Sequence, residues 1–271
     1  MEPLGETLLR ELREPSAVTR DPVQADEPRR GRIAPFVHVE PHLCEPNDTL
    51  AILYDIHGNL PALEAVLADA AAAGADAYLL GGDYGSWSPW PLETLERLRS
   101  LPDSTWIRGN GERWVREPPL DRPEVAEQLR TTPSGLGAEE GWLFSLQPQV
   151  ELDGVLYVHG CPRRDDDSFG VEPAPEDEDR LAGVHDRTVV FGHSHLQFRR
   201  PGPNGTDLLN PGSVGMPLDG DVRAAWALRH DDGRFEFRRT AYDNERAAAA
   251  YDALGGPIGP MAAGRLRRGS D

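Results

Sequence analysis

The chain has 271 residues, of which 38% are hydrophobic and 27% are charged, and its formal net charge is −18 at pH 7. This negative charge excludes a protein that binds duplex nucleic acid, because contact with a phosphate backbone requires a basic face. The 28 basic residues are all arginine, which excludes Schiff-base and Walker-lysine chemistry, and Cys44 and Cys161 are too few for a disulfide framework.

The first 48 residues combine proline, arginine and acidic residues without a sustained hydrophobic period. Such a composition buries little apolar surface, so we predict a flexible N-terminal extension over residues 1–48. The N-terminus lacks the apolar core of a signal peptide, and no later run is long enough to span a membrane. Together with the low cysteine count, these features predict a cytoplasmic protein without a membrane partner.

From residue 49 to residue 110 strand-like and helix-like segments alternate. The apolar runs TLAILY, DAYLLGGD and STWIRGN are typical of buried strands, whereas PALEAVLADAAAAG and PLETLERLRS, each with proline in its first turn, are typical of helices. Strands that alternate with helices pair in parallel through right-handed crossovers. This part of the chain therefore predicts an α/β fold.

The alternation stops at residue 113. Residues 113–149 are rich in proline and acidic residues and contain helical fragments at PEVAEQLR and AEEGWLFSL, so we predict an inserted helical cap segment there. The later strands are predicted at QVELDGVLYVHG, TVVFGHSH, TDLLNPGS, RAAWALRH and RFEFRRT, with hairpin turns at DG and DDG. DNERAAAAYDAL predicts a C-terminal helix, and residues 255–271 are expected to form a loose tail. The predicted architecture is an α/β, two-sheet αββα sandwich over residues 49–254.

Each strand of the α/β part ends in polar residues flanked by glycine. These blocks are Asp55-x-His57, Gly82-Asp83, Gly109-Asn110, His159-Gly160 and Gly192-His193-Ser194-His195. Because the carboxyl ends of parallel strands lie along one edge of a sheet, we expect these side chains to converge. Two carboxylates, one amide and four imidazoles form a ligand set for two divalent metal ions rather than one.

The five blocks, in this order, resemble the calcineurin-like metallophosphoesterases, whose pattern is D-x-H, G-D, G-N, H-G and G-H-x-H. DIHGNLPALEAVL and NPGSVGMP are similar to the small bacterial phosphodiesterase-like branch, and the resemblance extends over about residues 49–240. It implies the metallophosphoesterase type of sandwich. It also implies a metal-dependent phosphoric ester hydrolase in which a hydroxide that bridges two metals attacks phosphorus in line.

The resemblance further implies a role for each residue. One ion would be held by Asp55, His57 and His195, the other by Asn110, His159 and His193, and Asp83 would bridge them. Three of these, Asp83, Asn110 and His159, would be catalytic through the metals and the bridging hydroxide. Mixed carboxylate and imidazole ligation suits Mn, Fe, Zn or Ni, and Mn is our first choice.

Three residues depart from the family's pattern. Tyr54 stands where most relatives have serine, and we interpret it as a strand side chain packed on the sheet. Gly111 stands where the protein-phosphatase-like branch has a histidine that serves the leaving group, so no general acid is inherited there. Cys161 stands where serine is commoner, and we interpret it as a buried inert thiol.

The expected substrate is a small phosphorylated molecule. Arg113 and Arg163 follow ligand blocks and are candidate phosphate contacts, with pairing to surface acids as an equal alternative. The acidic loop from Asp165 to Arg180 is expected to be solvated and would repel long polyanions. The missing acid at Gly111 favours a diester over a monoester. A protein or nucleotide phosphomonoesterase and a non-catalytic metal-binding scaffold of the same fold stay open as alternatives, as does the formation of oligomers.

Overall fold

The computed structural model describes residues 49–271. In this part of the chain the strands are β1 (Leu50–Leu53), β2 (Ala77–Leu80), β3 (Ser104–Trp106), β4 (Gln149–Leu152), β5 (Val155–Val158), β6 (Thr188–Val190), β7 (Gln197–Pro201), β8 (Asp207–Pro211), β9 (Ala224–Arg229) and β10 (Phe235–Thr240). The α-helices are α1 (Leu60–Ala72), α2 (Pro91–Arg99), α3 (Asn110–Trp114), α4 (Pro123–Thr131), α5 (Glu140–Ser145), α6 (Asp177–Leu181), α7 (Asn244–Leu254) and α8 (Ile258–Arg268). Among these helices none is both long and apolar enough to cross a membrane. The predicted extension over residues 1–48 lies outside the described residues.

The strands form two mixed sheets of five strands each. The first sheet has the order β10-β9-β1-β2-β3, and the second has the order β4-β5-β6-β8-β7. β1, β2 and β3 pair in parallel, as do β5, β6 and β8, and antiparallel strands lie at the other positions of both sheets. The predicted α/β sandwich of two sheets flanked by helices is therefore confirmed.

The alternation of side chains along β1 separates the layers. Leu50 and Ile52 pack in the cluster between the sheets, which also contains Val190 of the second sheet. Ala51 and Leu53 face the other way and pack in the cluster that contains helix α1. Successive residues of a strand point to opposite faces, so a strand covered on both faces needs apolar residues at every position. This requirement explains the continuous apolar run at the start of the described chain.

Helix α1 begins directly after the first predicted ligand loop. The side chain of Asn59 caps it by accepting a hydrogen bond from the backbone N–H of Ala62 at 3.2 Å, and proline occupies the first turn. The amide nitrogen of Asn59 also donates to the carbonyl of Gly215 at 2.8 Å. One buried cap residue therefore fixes both the helix start and the chain that follows β8.

The predicted insertion over residues 113–149 contains two helices. PEVAEQLR lies in α4 and AEEGWLFSL covers a short 3₁₀ turn and α5, as predicted. Leu143 of α5 is buried in the core cluster of the first sheet. The ring of Trp142 packs edge-on against that of Trp106, with the ring centroids 5.2 Å apart. The carbonyl of Ser134 accepts a hydrogen bond from the N–H of Trp87 at 2.8 Å, so the insertion contacts the loop after Asp83. Its role as a cap stays a prediction.

The prediction of a loose tail over residues 255–271 is wrong, because helix α8 occupies most of this segment. Leu266 of α8 is buried and packs with Tyr251 of α7. A Cβ at Gly259 would lie 2.4 Å from the carbonyl oxygen of Tyr251, so only glycine permits this close approach. The glycines and prolines of the segment lower its intrinsic helix propensity, and packing against α7 outweighs that penalty.

Candidate metal centre

The seven predicted ligands follow the carboxyl ends of β1, β2, β3, β5 and β6, and the structure brings them together. They are Asp55, His57, Asp83, Asn110, His159, His193 and His195. Parallel strands in both sheets end at this one edge, which is where α/β proteins bind ligands. The sandwich therefore places side chains from five separate parts of the sequence within contact of one another.

One group of donors consists of Asp55, His57 and His195. The Nε2 atoms of the two imidazoles lie 3.0 Å apart. Oδ1 of Asp55 lies 3.4 Å from Nε2 of His195 and 3.8 Å from Nε2 of His57. These three atoms are close enough to one another to hold a single cation.

A second group is centred on the amide oxygen of Asn110. This oxygen lies 3.0 Å from Nε2 of His159 and 2.7 Å from Nδ1 of His193. Asp83 lies between the two groups, with Oδ1 3.4 Å from Nε2 of His159 and Oδ2 3.9 Å from Nε2 of His57. Its two oxygens thus reach both sets of donors, as a bridging carboxylate requires.

The backbone of the site is strained. Positive φ angles occur at five predicted ligands, namely Asp55 (52°), His57 (48°), Asp83 (55°), His193 (64°) and His195 (60°). Residues other than glycine reach this left-handed region at a cost of about 1–3 kcal/mol each, and such residues cluster at functional sites. The surrounding loops must therefore hold the ligands in place against this cost.

Backbone carbonyls orient two of the imidazoles. Nδ1 of His159 lies 2.8 Å from the carbonyl oxygen of Gly81, and Nδ1 of His195 lies 2.7 Å from that of Met216. An N–H donated from Nδ1 to a carbonyl turns Nε2 toward the centre of the site. Histidines that bind metals are held in this way.

The charges of the site call for a cation. Oδ1 of Asp55 is buried and makes no hydrogen bond. Burial alone would raise the pKa of Asp55, but the neighbouring imidazoles of His195 and His159 hold the pKa below its usual range. An ionised carboxylate is costly to bury unless it is paired. The residues present therefore fit a divalent cation at this oxygen.

Three of the four imidazoles have shifted pKa values, in two directions. Burial and the neighbouring His195 lower the pKa of His57 to about 3, and burial and His159 lower that of His193 to about 4, so both rings are neutral at pH 7. Burial opposes a charge on His159, but the carboxylates of Asp83 and Asp55 raise its pKa to about 9. In the metal-free protein a proton on His159 supplies positive charge that these carboxylates require.

Glu112, to which the sequence analysis gave no chemical role, holds two loops of the site together. Its buried carboxylate accepts hydrogen bonds from the backbone N–H groups of Asp83 (2.9 Å), Tyr84 (2.8 Å) and Gly109 (2.9 Å). It thus ties the loop after β2 to the loop after β3. An acid three residues after Gly109, at the start of a helix, is a capping-box signal that would have indicated this role.

The two candidate phosphate contacts are already paired with carboxylates. Nε of Arg113 lies 2.8 Å from Oδ2 of Asp165, and its Nη2 lies 3.0 Å from Asp166. Arg163 pairs with Asp179 at the surface. Either arginine would have to exchange an ion pair for a phosphate, and their contact with substrate stays a prediction.

The structure explains the three departures from the family's pattern. The ring of Tyr54 is fully buried between the sheets, against Gly81 and Gly192, and its hydroxyl donates to the carbonyl of Val190 at 3.2 Å. Its interpretation as a packed strand side chain is confirmed.

The N–H of Gly111 donates to Oδ1 of Asp83 at 2.6 Å, and a Cβ there would lie 2.9 Å from this oxygen. Cys161 is buried, and burial raises the pKa of its thiol to about 11.

Comparison with known proteins finds a matching family and relatives over most of the described chain. The sequence profile of the calcineurin-like phosphoesterase superfamily domain matches residues 49–233. A metallophosphoesterase from Sphaerobacter thermophilus is 28% identical, with a TM-score of 0.68 over 82% of this chain and 99% of its own. A hypothetical protein from Pyrococcus horikoshii OT3 has the same fold, with 21% identity and a TM-score of 0.69. Its alignment also covers 82% of this chain and 99% of its own. An uncharacterized protein of Methanocaldococcus jannaschii is 27% identical over 73% of this chain and 89% of its own length.

Proposed function

The chain belongs to the calcineurin-like phosphoesterase superfamily, and we propose that it is a binuclear metal-dependent hydrolase of a small phosphate ester, with diesters preferred over monoesters. The observation that carries the proposal is that donor atoms of His57, Asp83, His159 and His195 surround the buried, unbonded Oδ1 of Asp55, while Asn110 lies against His159 and His193. A carboxylate oxygen in that position is stabilised by a cation, and the donors around it match the ligand types of divalent transition metals.

The residues would divide between two ions. Asp55, His57 and His195 would hold one, Asn110, His159 and His193 would hold the other, and Asp83 would contact both. Divalent ions at such a site activate water as a nucleophile and offset the charge of the phosphoryl oxygens. Because the ligands combine oxygen with nitrogen and include no thiolate, Mn is our first choice, with Fe, Zn and Ni as alternatives.

The protein's own groups would set the geometry for the reaction. The carbonyls of Gly81 and Met216 aim the Nε2 atoms of His159 and His195 at the centre. Both carboxylates are shielded from solvent, at 0% exposure for Asp55 and 6% for Asp83. In such a water-poor site each charge acts more strongly than it would in solvent.

The preference for diesters rests on Gly111. A poor leaving group must take up a proton as its bond to phosphorus breaks, and a positioned acid contributes about 10²–10⁴-fold to such a step. Gly111 has no side-chain acid, and its close contact with Oδ1 of Asp83 leaves no room for a side chain. His185, the histidine nearest in sequence to the block at residues 192–195, is exposed. Esters whose leaving group departs without protonation should therefore react fastest.

The proposal is tested by metal counting together with a substrate panel. The full chain is stripped with a chelator, titrated with Mn²⁺, and assayed with a bis-aryl phosphate, a mono-aryl phosphate and an alkyl phosphate at one pH. We expect two ions per chain and rates that fall in that order of substrates. Two bound ions without turnover would favour the scaffold alternative, and an alkyl monoester hydrolysed as fast as the aryl diester would refute the preference. Failure to bind Mn²⁺ or any of the alternative metals would refute the whole proposal.

A further inference from the structure

Two helices lie beyond the region that matches the superfamily profile. α7 and α8 (residues 244–268), which we call the C-terminal hairpin, pack against each other through small and apolar side chains, and the profile ends at residue 233. The hairpin core also contains Met216, which lies on the loop after β8. The hairpin is thus joined to a loop at the edge of the metal centre.

The hairpin contacts the first ligand loop directly. The hydroxyl of Tyr251, on α7, donates a hydrogen bond to the backbone carbonyl of His57. His57 has a φ of 48°, and its N–H donates to the carbonyl of Asp83 at 2.8 Å. The strained residue is therefore held on one side by the loop after β2 and on the other side by the hairpin.

The hairpin also supports His195. The side chain of Met216 is 6% exposed and packs in the hairpin core, while its carbonyl accepts the hydrogen bond from Nδ1 of His195 at 2.7 Å. The N–H of Gly220 donates to the carbonyl of Gly269, just after α8, at 2.7 Å. The loop that orients His195 is thus attached to the hairpin at two points.

The other donor group is supported differently. His159 is oriented by the carbonyl of Gly81, and the loop that carries Asn110 is held by Glu112. These supports belong to the sandwich, not to the C-terminal hairpin. The hairpin therefore acts on one of the two donor groups, the one that contains His57 and His195.

We propose that the C-terminal hairpin is a positioning element for one of the two metal sites, with Tyr251 as its key residue. By holding His57 and, through Met216, His195, it sets the affinity of the site formed with Asp55. Tyr251 is a positioning residue, because its hydroxyl contacts the backbone carbonyl of His57 and not a donor atom of the site. The inference rests on the proposed function in requiring two metal sites.

The test is the substitution Tyr251→Phe, which removes the hydroxyl and keeps the ring. Metal-free protein is titrated with Mn²⁺, and free Mn²⁺ is followed by electron paramagnetic resonance. Loss of a group that orients a metal ligand typically lowers metal affinity about 10–100-fold. We expect one site to weaken by this factor and the other to keep its wild-type affinity. At saturating Mn²⁺ the KM for an aryl diester should stay unchanged.

Tyr242→Phe is the matched control. Its hydroxyl lies 3.2 Å from Nδ2 of Asn59, the cap of α1, and contacts no predicted ligand. Both Mn²⁺ affinities of this variant should remain within about twofold of the wild type, well below the effect of losing an orienting group. A second variant, Leu266→Val, loosens the hairpin core without touching a ligand and should weaken the same single site as Tyr251→Phe.

The outcomes separate this inference from the proposed function. If folded Tyr251→Phe binds both ions as tightly as the wild type, or loses affinity equally at both sites, the inference is overturned and the proposed function stands. The inference is also overturned, and the proposed function stands, if Leu266→Val weakens both metal sites or neither. If the wild-type chain binds no metal, the proposed function itself has failed. Circular dichroism melting curves establish that each variant is folded before it is titrated.

Discussion

At the level of single residues, the ligands are held by their neighbours more than by their own conformational preferences. Asp83 has a φ of 55°, and its backbone N–H is bonded to Glu112 while its Oδ1 accepts from the N–H of Gly111. Strain of this kind persists only where the surrounding structure determines it. Substitutions at these residues should therefore divide into those that remove a ligand and those that release a loop.

Asp83→Asn is the clearest ligand substitution. Burial raises the pKa of Asp83, and the charge of Glu112 adds to this effect while His159 opposes it, so the ionised carboxylate is costly in the metal-free protein. The asparagine side chain is uncharged, so the substitution removes this cost together with the charge that would bridge the two ions. We expect a loss of at least about 10-fold in Mn²⁺ affinity and a larger loss of turnover, with metal-free thermal stability equal to the wild type or higher. Wild-type turnover with full metal content would show that Asp83 does not bridge.

Glu112→Gln is the corresponding loop substitution. A carboxylate accepts from three backbone N–H groups here, whereas the amide of glutamine would direct its own N–H₂ group at one of them. A buried donor left without an acceptor costs about 1–3 kcal/mol, and chemical denaturation should show a loss of this size. Glu64→Gln, at an exposed pair with Arg97, is the matched control and should leave the unfolding midpoint unchanged. Equal midpoints for the two variants would contradict the role of Glu112.

The raised pKa of His159 predicts how metal binding depends on pH. The pKa of this imidazole in the metal-free protein is about 9, so at pH 7 it carries a proton that an ion must displace. Apparent Mn²⁺ affinity should therefore rise by up to about tenfold per pH unit from pH 7 and level off near pH 9. Calorimetry in two buffers of different ionisation enthalpy should detect release of this proton at pH 7. A pH-independent affinity over this range would contradict the assignment.

The convergence of the predicted ligands could be inferred from the sequence, and Glu112 carried a capping-box signal, whereas the other supports carried none. Each ligand block combines glycine with Asp, Asn or His at a strand end, and parallel strands make such ends converge. Tyr251 and Met216 carry no such signal, because they act through a hydroxyl and a carbonyl that meet the ligands only in the folded chain. Support of this kind is a property of tertiary contacts.

At the level of elements, the structure differs from the predictions where packing outweighs local preference. Strand β7 was not predicted, because its sequence QFRRP reads as polar until β8 supplies hydrogen-bond partners. Helix α6 begins in the acidic loop from Asp165 to Arg180, which was expected to be solvated. There Arg113, Arg164 and Arg180 pair with the three acids that precede the buried Phe169, and Arg180 also pairs with Asp177, which follows it. The sequence analysis anticipated pairing with acids for Arg113, but not for Arg164 or Arg180.

The buried ion pair between Asp177 of α6 and Arg200 tests whether pairing with arginine holds the acidic segment in place. Nη2 of Arg200 lies 2.6 Å from Oδ2 of Asp177, and the two side chains are 9% and 1% exposed. Removing one partner of a buried pair leaves an uncompensated charge, at a cost of about 3–5 kcal/mol. We expect Asp177→Ala to lower the free energy of unfolding by this amount in urea denaturation.

Asp179→Ala is the matched control from the same helix. Asp179 pairs with Arg163, but its side chain is 72% exposed, and exposed pairs contribute about 0–1 kcal/mol. If the two alanine variants unfold at the same urea concentration, the pair between Arg200 and Asp177 does not hold the acidic segment in place.

At the level of the whole molecule, a formal charge of −18 acts on any anionic substrate. An ionised phosphate monoester carries two negative charges and a diester carries one, so repulsion by the protein should disfavour the monoester more strongly. This effect adds to the missing acid at Gly111, and the two contributions respond differently to salt. Charges at a distance are screened by ions, whereas a missing proton donor is not.

Salt should therefore separate the two origins of the diester preference. Raising the ionic strength from 0.01 to 0.15 M shortens the screening length from about 30 to about 8 Å. At constant Mn²⁺, kcat/KM for an aryl monoester should rise more than kcat/KM for the corresponding diester, so the ratio of diester to monoester should fall with salt. A remaining preference at high salt would then measure what the absence of an acid at Gly111 contributes.

The charge-reduced variant Glu172→Gln with Glu178→Gln provides the control, since both side chains are exposed and neither pairs with Arg113 or Arg163. Removing two negative charges should weaken the salt dependence of the monoester without changing kcat for the diester, because neither residue is a predicted ligand. The measurement is the slope of log kcat/KM against ionic strength for both substrates and both proteins. If the two substrates respond equally to salt in the wild type, the protein's charge does not select between them. The preference would then have to arise at Gly111 and the metal centre alone.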